Sequence, residues 1–225
     1  MNYSMTRTIA AISLVAVFGF AQDSIKLART YKTDETGTLA LQVDVDAQGQ
    51  QIKASAKVSY KVSKLLDGGK AKATLTVKDP KVDMGGQEMP VDLSPLEVTL
   101  DSWGMSDTLP THEAEWLFTL SSLASIVPGK DLKPGESFDL NWTNDSKVST
   151  LKGKGKFLEV VDLDGIKSAK VEYDVSFSPQ ATETPGQMKS TGWFDIRDGR
   201  LIKSEGKIIA NDGMEMKFTA KSEKS

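Results

Sequence analysis

The sequence predicts a mainly β protein with one main helix, an α+β chain in which a large antiparallel sheet packs an amphipathic helix on its apolar face. Three observations support this prediction. Apolar and polar residues alternate along many segments, as in strands with one buried and one solvated face. Asp-Gly pairs separate several of these segments, and one segment alone has the period of a helix.

The alternating segments predict about ten strands that follow one another largely as a meander. They include "LALQVDV" (39–45), "IKASAKVSYKV" (52–62), "AKATLTV" (71–77), "LEVTL" (96–100), "FDLNW" (138–142), "VEYDVSF" (171–177), "GWFDI" (192–196) and "MEMKF" (214–218). Antiparallel sheets commonly bury one face and solvate the other, which produces this alternation. The single helix has to bury its apolar stripe against the apolar face of a large sheet. We therefore expect a strongly curved sheet or a partly open barrel.

Turn residues stand where the strands are predicted to end. Asp67-Gly68-Gly69, Asp164-Gly165, Asp198-Gly199 and "NDG" (211–213) each separate two strand segments. Asp-Gly is a strong hairpin signal, because the favoured two-residue turns need positive φ angles. "VPGK" (127–130) and "KPGE" (133–136) add turns with proline followed by glycine.

The segment from Trp116 to Val127 has helical spacing, with apolar residues at 116, 117, 120, 123, 124 and 127. Thr111 is the predicted N-cap, and Pro128-Gly129 ends the pattern. We therefore expect a helix within residues 111–127. The residues expected to face the sheet, and the candidate contacts for a ligand, are Trp116, Leu117, Leu120, Leu123 and Val127.

Residues 1–21 are predicted to be a cleaved signal peptide. Arg7 precedes an apolar run of twelve residues, 9–20, and small residues at Gly19 and Ala21 suit a cleavage site before Gln22. Twelve residues are too few to cross a bilayer, which takes roughly 20. We therefore expect an exported protein, periplasmic or extracellular, that is not integral to the membrane after cleavage. The sequence contains no cysteine, hence no disulfide.

Residues 22–225 are expected to form a single domain. Within it, "KVSYKVSKLLDGGKAKATLTV" (57–77) and "KGKFLEVVDLDGIKSAKVEYDV" (154–175) share the order strand, Asp-Gly turn, strand. Two alternatives stay open. Either the chain has two similar halves, 22–108 and 132–225, joined by the helix 111–127, or any two amphipathic hairpins would look this much alike.

Composition and motifs exclude most kinds of chemistry. The net charge is −3 with both signs interspersed, so no nucleic-acid partner is expected. His112 is the only histidine, and "HEAEW" (112–116) has Trp116 where a zinc helix needs a second histidine. Without a second histidine or a cysteine, we expect no catalytic residue, cofactor or metal centre. One alternative stays open, a weak surface calcium site at Asp44/Asp46 or at Asp162/Asp164.

The segments "LKPGESFDLNW" (132–142) and "GWFDIRDGRL" (192–201) resemble segments of exported bacterial β-rich domains. Together with the single helix, the strand pattern also resembles the lipoprotein-carrier and lipid-carrier half-barrels. That resemblance implies a curved sheet and helix enclosing an apolar cavity.

Three hypotheses about function follow. The first is a non-enzymatic protein that binds a lipid or another hydrophobic small molecule between sheet and helix. The second is a structural or assembly protein of the cell envelope with a filled core. The third is a carboxylate-dependent hydrolase. A cavity of roughly 300 Å³ or more favours binding, whereas a close group of buried acids favours the hydrolase.

Overall fold

The computed structural model describes residues 23–47, 50–84, 88–89, 93–107, 116–144, 149–178, 185–210 and 213–223. These contain thirteen strands and one α-helix. The strands are β1 (Ile25–Leu27), β2 (Thr36–Ala47), β3 (Gln50–Leu65), β4 (Ala71–Met84), β5 (Glu88–Met89), β6 (Leu96–Leu100), β7 (Lys130–Leu132), β8 (Ser137–Thr143), β9 (Thr150–Leu163), β10 (Ile166–Ser178), β11 (Gly186–Asp195), β12 (Leu201–Ile209) and β13 (Glu215–Ser222), and the helix α1 spans Trp116–Ala124. The predicted signal peptide 1–21, the predicted N-cap Thr111 and His112 lie outside the described residues.

Eleven strands form one sheet, in the order β5-β4-β3-β2-β13-β12-β11-β10-β9-β8, with β6 also paired to β4. All its strand pairs are antiparallel, and β1 pairs with β7 in a small separate sheet. Strands β2 and β13 join the groups that precede and follow the helix. The sheet is not closed into a barrel by strand pairing between its described edges. The predicted fold class is confirmed.

Local irregularities bend this sheet. The strand register shifts at Ser55/Lys57 and Val62/Lys64 in the β3–β4 pair, at Lys170/Val171 in the β9–β10 pair, and at Trp193/Phe194 in the β11–β12 pair. Register shifts of this kind kink a strand and increase its twist. The alternating apolar residues of the strands therefore face one concave core, which α1 shares.

The helix lies inside this concavity. Leu117, Leu120, Leu123 and Ala124 are buried as the spacing predicts, but Phe118, Ser121 and Ser122 on the other side of the helix are buried as well. Helix α1 is therefore covered on most of its sides by the protein, whereas the sequence pattern indicated a one-sided stripe.

The helix also ends at Ala124, before the predicted end at Val127. The Ser125 amide donates to the Ser122 carbonyl at 3.0 Å, a tighter i to i−3 turn, and the Val127 amide donates to the Trp103 carbonyl at 2.9 Å. The second bond takes the chain out of the helical path, because the Val127 amide is no longer available to the helix.

A short segment joins the two edges of the open sheet. Residues 101–107, here called the seam loop, follow β6 directly, and the Asp107 amide donates to the Thr99 carbonyl at 2.9 Å. On the other side, the Trp142 Nε1 at the end of β8 donates to Asp101 Oδ2 at 2.6 Å, and Asn144 Nδ2 donates to the Asp107 carbonyl at 2.8 Å. Side-chain hydrogen bonds thus link two edges that no strand ladder connects in the described chain.

Candidate ligand cavity

A cavity of about 850 Å³ lies between the C-terminal part of α1 and the inner face of the sheet. Most of its surface is apolar. Its apolar lining comes from Leu39, Val58, Leu75, Leu100, Leu163, Ile166, Leu201 and Ile202. The cavity reaches solvent beside Asp164, Lys221 and Glu223, which are exposed. These three residues form the mouth of the cavity.

The deep wall of the cavity is built around a buried arginine. Arg29, on the segment between β1 and β2, is 7% exposed and pairs with Glu35. Its Nη2 also donates to the Tyr60 hydroxyl at 3.1 Å. Its Nη1 donates to the carbonyls of Thr30 at 2.6 Å and Asp198 at 3.2 Å. One guanidinium therefore ties the entry to β2, strand β3 and the β11–β12 turn together.

Two tyrosines complete this wall. The Arg29 guanidinium lies 4.5 Å from the ring centroid of Tyr31, a cation–π distance. The Tyr31 hydroxyl donates to the Asp101 carbonyl at 3.0 Å, and the Tyr60 hydroxyl donates to Glu35 Oε1 at 2.8 Å. Tyr60 can lie across β2 because Gly37 is opposite it, where a Cβ atom would be 2.4 Å from the Tyr60 ring.

Electrostatics keep the Arg29–Glu35 pair ionised. Burial alone would raise the pKa of Glu35, but the Arg29 charge and hydrogen bonds from Tyr60 and Arg29 lower it below its ordinary value. Burial opposes the charge on Arg29, yet the neighbouring Tyr60, Tyr31 and Glu35 raise the pKa of its guanidinium. Burial raises the pKa of Tyr60 to about 12. A carboxylate held ionised by a salt bridge is poorly suited to act as a general acid near neutral pH.

The helix contributes serines to the cavity, from the face opposite the predicted stripe. Ser121, Ser122 and Ser125 line it. The Ser121 hydroxyl donates to the Phe118 carbonyl at 2.8 Å, and the Ser125 hydroxyl donates to the Ser121 carbonyl at 2.8 Å. Each of these two hydroxyls has used its proton and presents only an acceptor oxygen to the cavity.

The predicted contact residues are placed in the core. Leu117, Leu120 and Leu123 are each 3% exposed and Val127 is fully buried, and none of the four is among the cavity-lining residues. Trp116 begins α1, but its side chain lies outside the described part of the structure. Whether this stripe contacts a ligand stays a prediction, and the structure places the cavity on the other face of α1.

The cavity-lining polar residues were missed at the sequence level. A signal for the serines was present, since Ser121, Ser122 and Ser125 interrupt an otherwise apolar helical segment at neighbouring positions. No comparable signal marks Arg29 or Glu35, because "ARTYKTDE" (28–35) reads as an ordinary polar connection.

The acidic pairs considered for calcium have other neighbours. Asp162 Oδ1 accepts from the Gly165 amide at 2.8 Å, which is turn chemistry. Asp44 is in register with Lys53 on one side and Lys217 on the other. Within the described ranges, no three histidine, cysteine or acidic side chains come close enough together to hold a metal ion. The described helix is also too short to cross a membrane.

No protein-family model matches the chain, and neither does any curated protein. The solved structures with a similar fold include three bacterial proteins. One is a Bacteroides fragilis protein described as exported, with a YmcC-like fold (13% identity, 88% of this chain and 100% of that chain, TM-score 0.41). Another is the hypothetical lipoprotein YmcC of Escherichia coli (16% identity, 84% and 85%, TM-score 0.30). The third is a Vibrio parahaemolyticus domain described as an outer membrane lipoprotein-sorting protein (6% identity, 86% and 85%, TM-score 0.26).

Their descriptions, an exported protein, a hypothetical lipoprotein and a lipoprotein-sorting domain, agree with the resemblance that the sequence segments indicate. At such identities and TM-scores the likeness concerns the fold, and it carries no argument about what this chain binds.

Proposed function

We propose that this chain is an exported, non-enzymatic protein that binds a hydrophobic ligand in the cavity between α1 and the sheet. The observation that carries the proposal is the cavity itself. Its volume of about 850 Å³ and its mostly apolar lining fall within the range of roughly 300 to 1,000 Å³ typical of small-molecule sites. The predicted signal peptide 1–21 supports export.

The cavity favours binding over a purely structural role. Protein interiors are normally packed to the density of organic crystals, with few voids larger than a water molecule. An envelope protein with a structural role would gain stability by filling this space, since an empty cavity forfeits dispersion contacts along its lining. A ligand that occupies the space would restore those contacts.

The acids at the cavity do not favour the hydrolase alternative. The half-buried Glu35 pairs with Arg29, and the acids at the mouth, Asp164 and Glu223, are exposed. Exposed carboxylates are surrounded by water, so they lack the desolvated environment that tunes a catalytic acid or base. In the proposal, the leucines of the predicted stripe form the packed support of α1, and its serine face meets the ligand.

An uncharged fluorescent probe, N-phenyl-1-naphthylamine, tests the proposal. We expect the delipidated protein to bind the probe with increased fluorescence and with an increased melting temperature. Ser122→Phe places an aromatic ring in the cavity and should weaken probe binding at least tenfold. Thr219→Phe is the matched control, because Thr219 is exposed on β13 and outside the cavity lining.

The proposal is wrong if the probe does not bind, or if Ser122→Phe and Thr219→Phe bind it equally well. Native mass spectrometry of protein purified from its host provides a second readout, in which the proposal expects a bound apolar molecule. The mass of the exported chain tests the export part separately, because cleavage before Gln22 predicts a mature protein of residues 22–225.

A further inference from the structure

Among the buried polar side chains that line the cavity, Ser122 is the one whose contacts with the described residues leave it unsatisfied. It lines the cavity and is 5% exposed. Its neighbours Ser121 and Ser125 bond to helix carbonyls, but the Ser122 hydroxyl makes no hydrogen bond with the described residues. No fully buried side-chain oxygen or nitrogen of the described chain lacks a partner. The Ser122 oxygen is therefore one that a molecule in the cavity can reach.

The hydroxyl groups around Ser122 offer more hydrogen-bond acceptors than free donors. The hydroxyl protons of Ser121, Ser125 and Tyr31 are already donated to backbone carbonyls, so these groups offer acceptor oxygens only. Ser122 alone among the four can both donate and accept. The deep end of the cavity thus presents several acceptors and a single free donor, which suits a ligand group that itself donates a hydrogen bond.

The charges around the cavity also favour an uncharged ligand group. The Arg29 guanidinium is paired with Glu35, and its Nη atoms are engaged by Glu35, Tyr60 and two carbonyls. The other cationic residues of the lining, Arg200 and Lys221, are half-exposed and exposed, and Glu223 at the mouth pairs with Lys57 at 2.8 Å. The buried part of the cavity therefore offers no unpaired positive charge to an anionic ligand, because its one cation, Arg29, is paired with Glu35. A carboxylate moved from water to such a site would pay a desolvation cost of several kcal/mol without a matching partner.

We infer that the ligand is a hydrophobic molecule with an uncharged, hydrogen-bond-donating polar group, a hydroxyl or an amide, which binds at Ser122 while its apolar body extends toward the mouth. This inference rests on the proposed binding function and names the chemical class of its ligand. The half-exposed Leu163 and Ile166 on either side of the β9–β10 turn would contact the apolar body.

Three ligands with the same chain length but different polar groups test the inference. Dodecan-1-ol, dodecanoate and dodecane compete with N-phenyl-1-naphthylamine at pH 8, where dodecanoate is ionised. We expect dodecan-1-ol to displace the probe at concentrations at least tenfold lower than dodecanoate. Loss of one neutral hydrogen bond is worth about 0.5–1.5 kcal/mol, so Ser122→Ala should weaken dodecan-1-ol about two- to tenfold and leave dodecane within twofold.

Two further variants make the comparison specific. Ser122→Thr keeps the hydroxyl and should keep the preference for the alcohol. Ser176→Ala removes a hydroxyl on β10 outside the cavity, one that donates to the Lys152 carbonyl at 3.3 Å, and should change no affinity. Thermal unfolding shows whether each variant is folded before binding is compared.

The possible failures are distinguishable. If dodecanoate binds as tightly as dodecan-1-ol, or if Ser122→Ala leaves the affinity for the alcohol unchanged, the inference about the polar group is overturned while the proposed binding function stands. If neither the probe nor any of the three ligands binds, the proposed function and the inference both fail.

Discussion

The indole of Trp142 donates to the carboxylate of Asp101 at 2.6 Å and so connects the two ends of the open sheet. Asp101 also accepts from the amides of Trp103 at 2.9 Å and Met105 at 3.0 Å. Its carbonyl accepts from the Tyr31 hydroxyl of the cavity wall. Asp101 thus fixes the conformation of the seam loop, the position of β8 beside it and the position of Tyr31 in the cavity wall.

Trp142→Phe should destabilise the protein by about 1–3 kcal/mol, because it leaves a carboxylate oxygen of the half-buried Asp101 without its donor. Urea unfolding followed by far-UV circular dichroism measures the change. Trp193→Phe is the matched control. Trp193 is half-exposed on β11 between Lys170 and Lys203, and we expect a change below about 0.5 kcal/mol. Equal effects of the two substitutions would show that the seam bond contributes no stability.

Arg29→Met should cost about 3–5 kcal/mol, because it leaves the half-buried Glu35 carboxylate without its counter-charge. Combining it with Glu35→Gln should recover part of that loss, since the double variant no longer holds an unpaired charge. A double-mutant cycle on unfolding free energies measures the coupling. Strict additivity of the two single substitutions would contradict the ion-pair interpretation of the cavity wall.

Stability should fall at acidic pH in a way that depends on Glu35. Its pKa in the folded protein lies below the ordinary value of 4.5, so folding favours the ionised form. The resulting contribution is fully present above about pH 4.5 and is lost as the pH falls toward the folded pKa. In urea unfolding from pH 7 to pH 3, the wild type should lose more stability than Glu35→Gln. The lowered pKa of Asp195 and the raised pKa of Asp101 act equally in both proteins, so parallel curves would contradict this role for Glu35.

Gly199→Ala should be more destabilising than Gly165→Ala. Both glycines have positive φ, +67° and +83°, and alanine is strained in that region, at a cost on the order of 1 kcal/mol. At Gly199, however, a Cβ would also lie 2.4 Å from the Ala28 carbonyl oxygen, whereas nothing lies within 4 Å at Gly165. The Gly199 variant should thus displace the segment that carries Arg29 and weaken probe binding. Similar melting temperatures and probe affinities for the two variants would contradict this expectation.

The sequence by itself determined the mainly β class, the positions of the Asp-Gly hairpin turns and the apolar face of the alternating strands. It could do so because these properties are local. Alternation of period two follows from strand geometry, and Asp-Gly turns follow from backbone sterics. The β3–β4 and β9–β10 hairpins confirm this, since the predicted turns at 67–69 and 164–165 lie between those strands. The two-halves hypothesis stays a prediction.

Only the tertiary structure decided where the cavity is and what surrounds it. The helical spacing correctly indicated buried leucines on α1, but it could not show that the sheet curves far enough to bury Phe118 as well. Nor could it show that the cavity would adjoin the serines. Arg29, Glu35 and Tyr60 meet through contacts between residues distant in sequence, as do Asp101 and Trp142. Such pairings depend on the curvature and register of the whole sheet, which no local pattern contains.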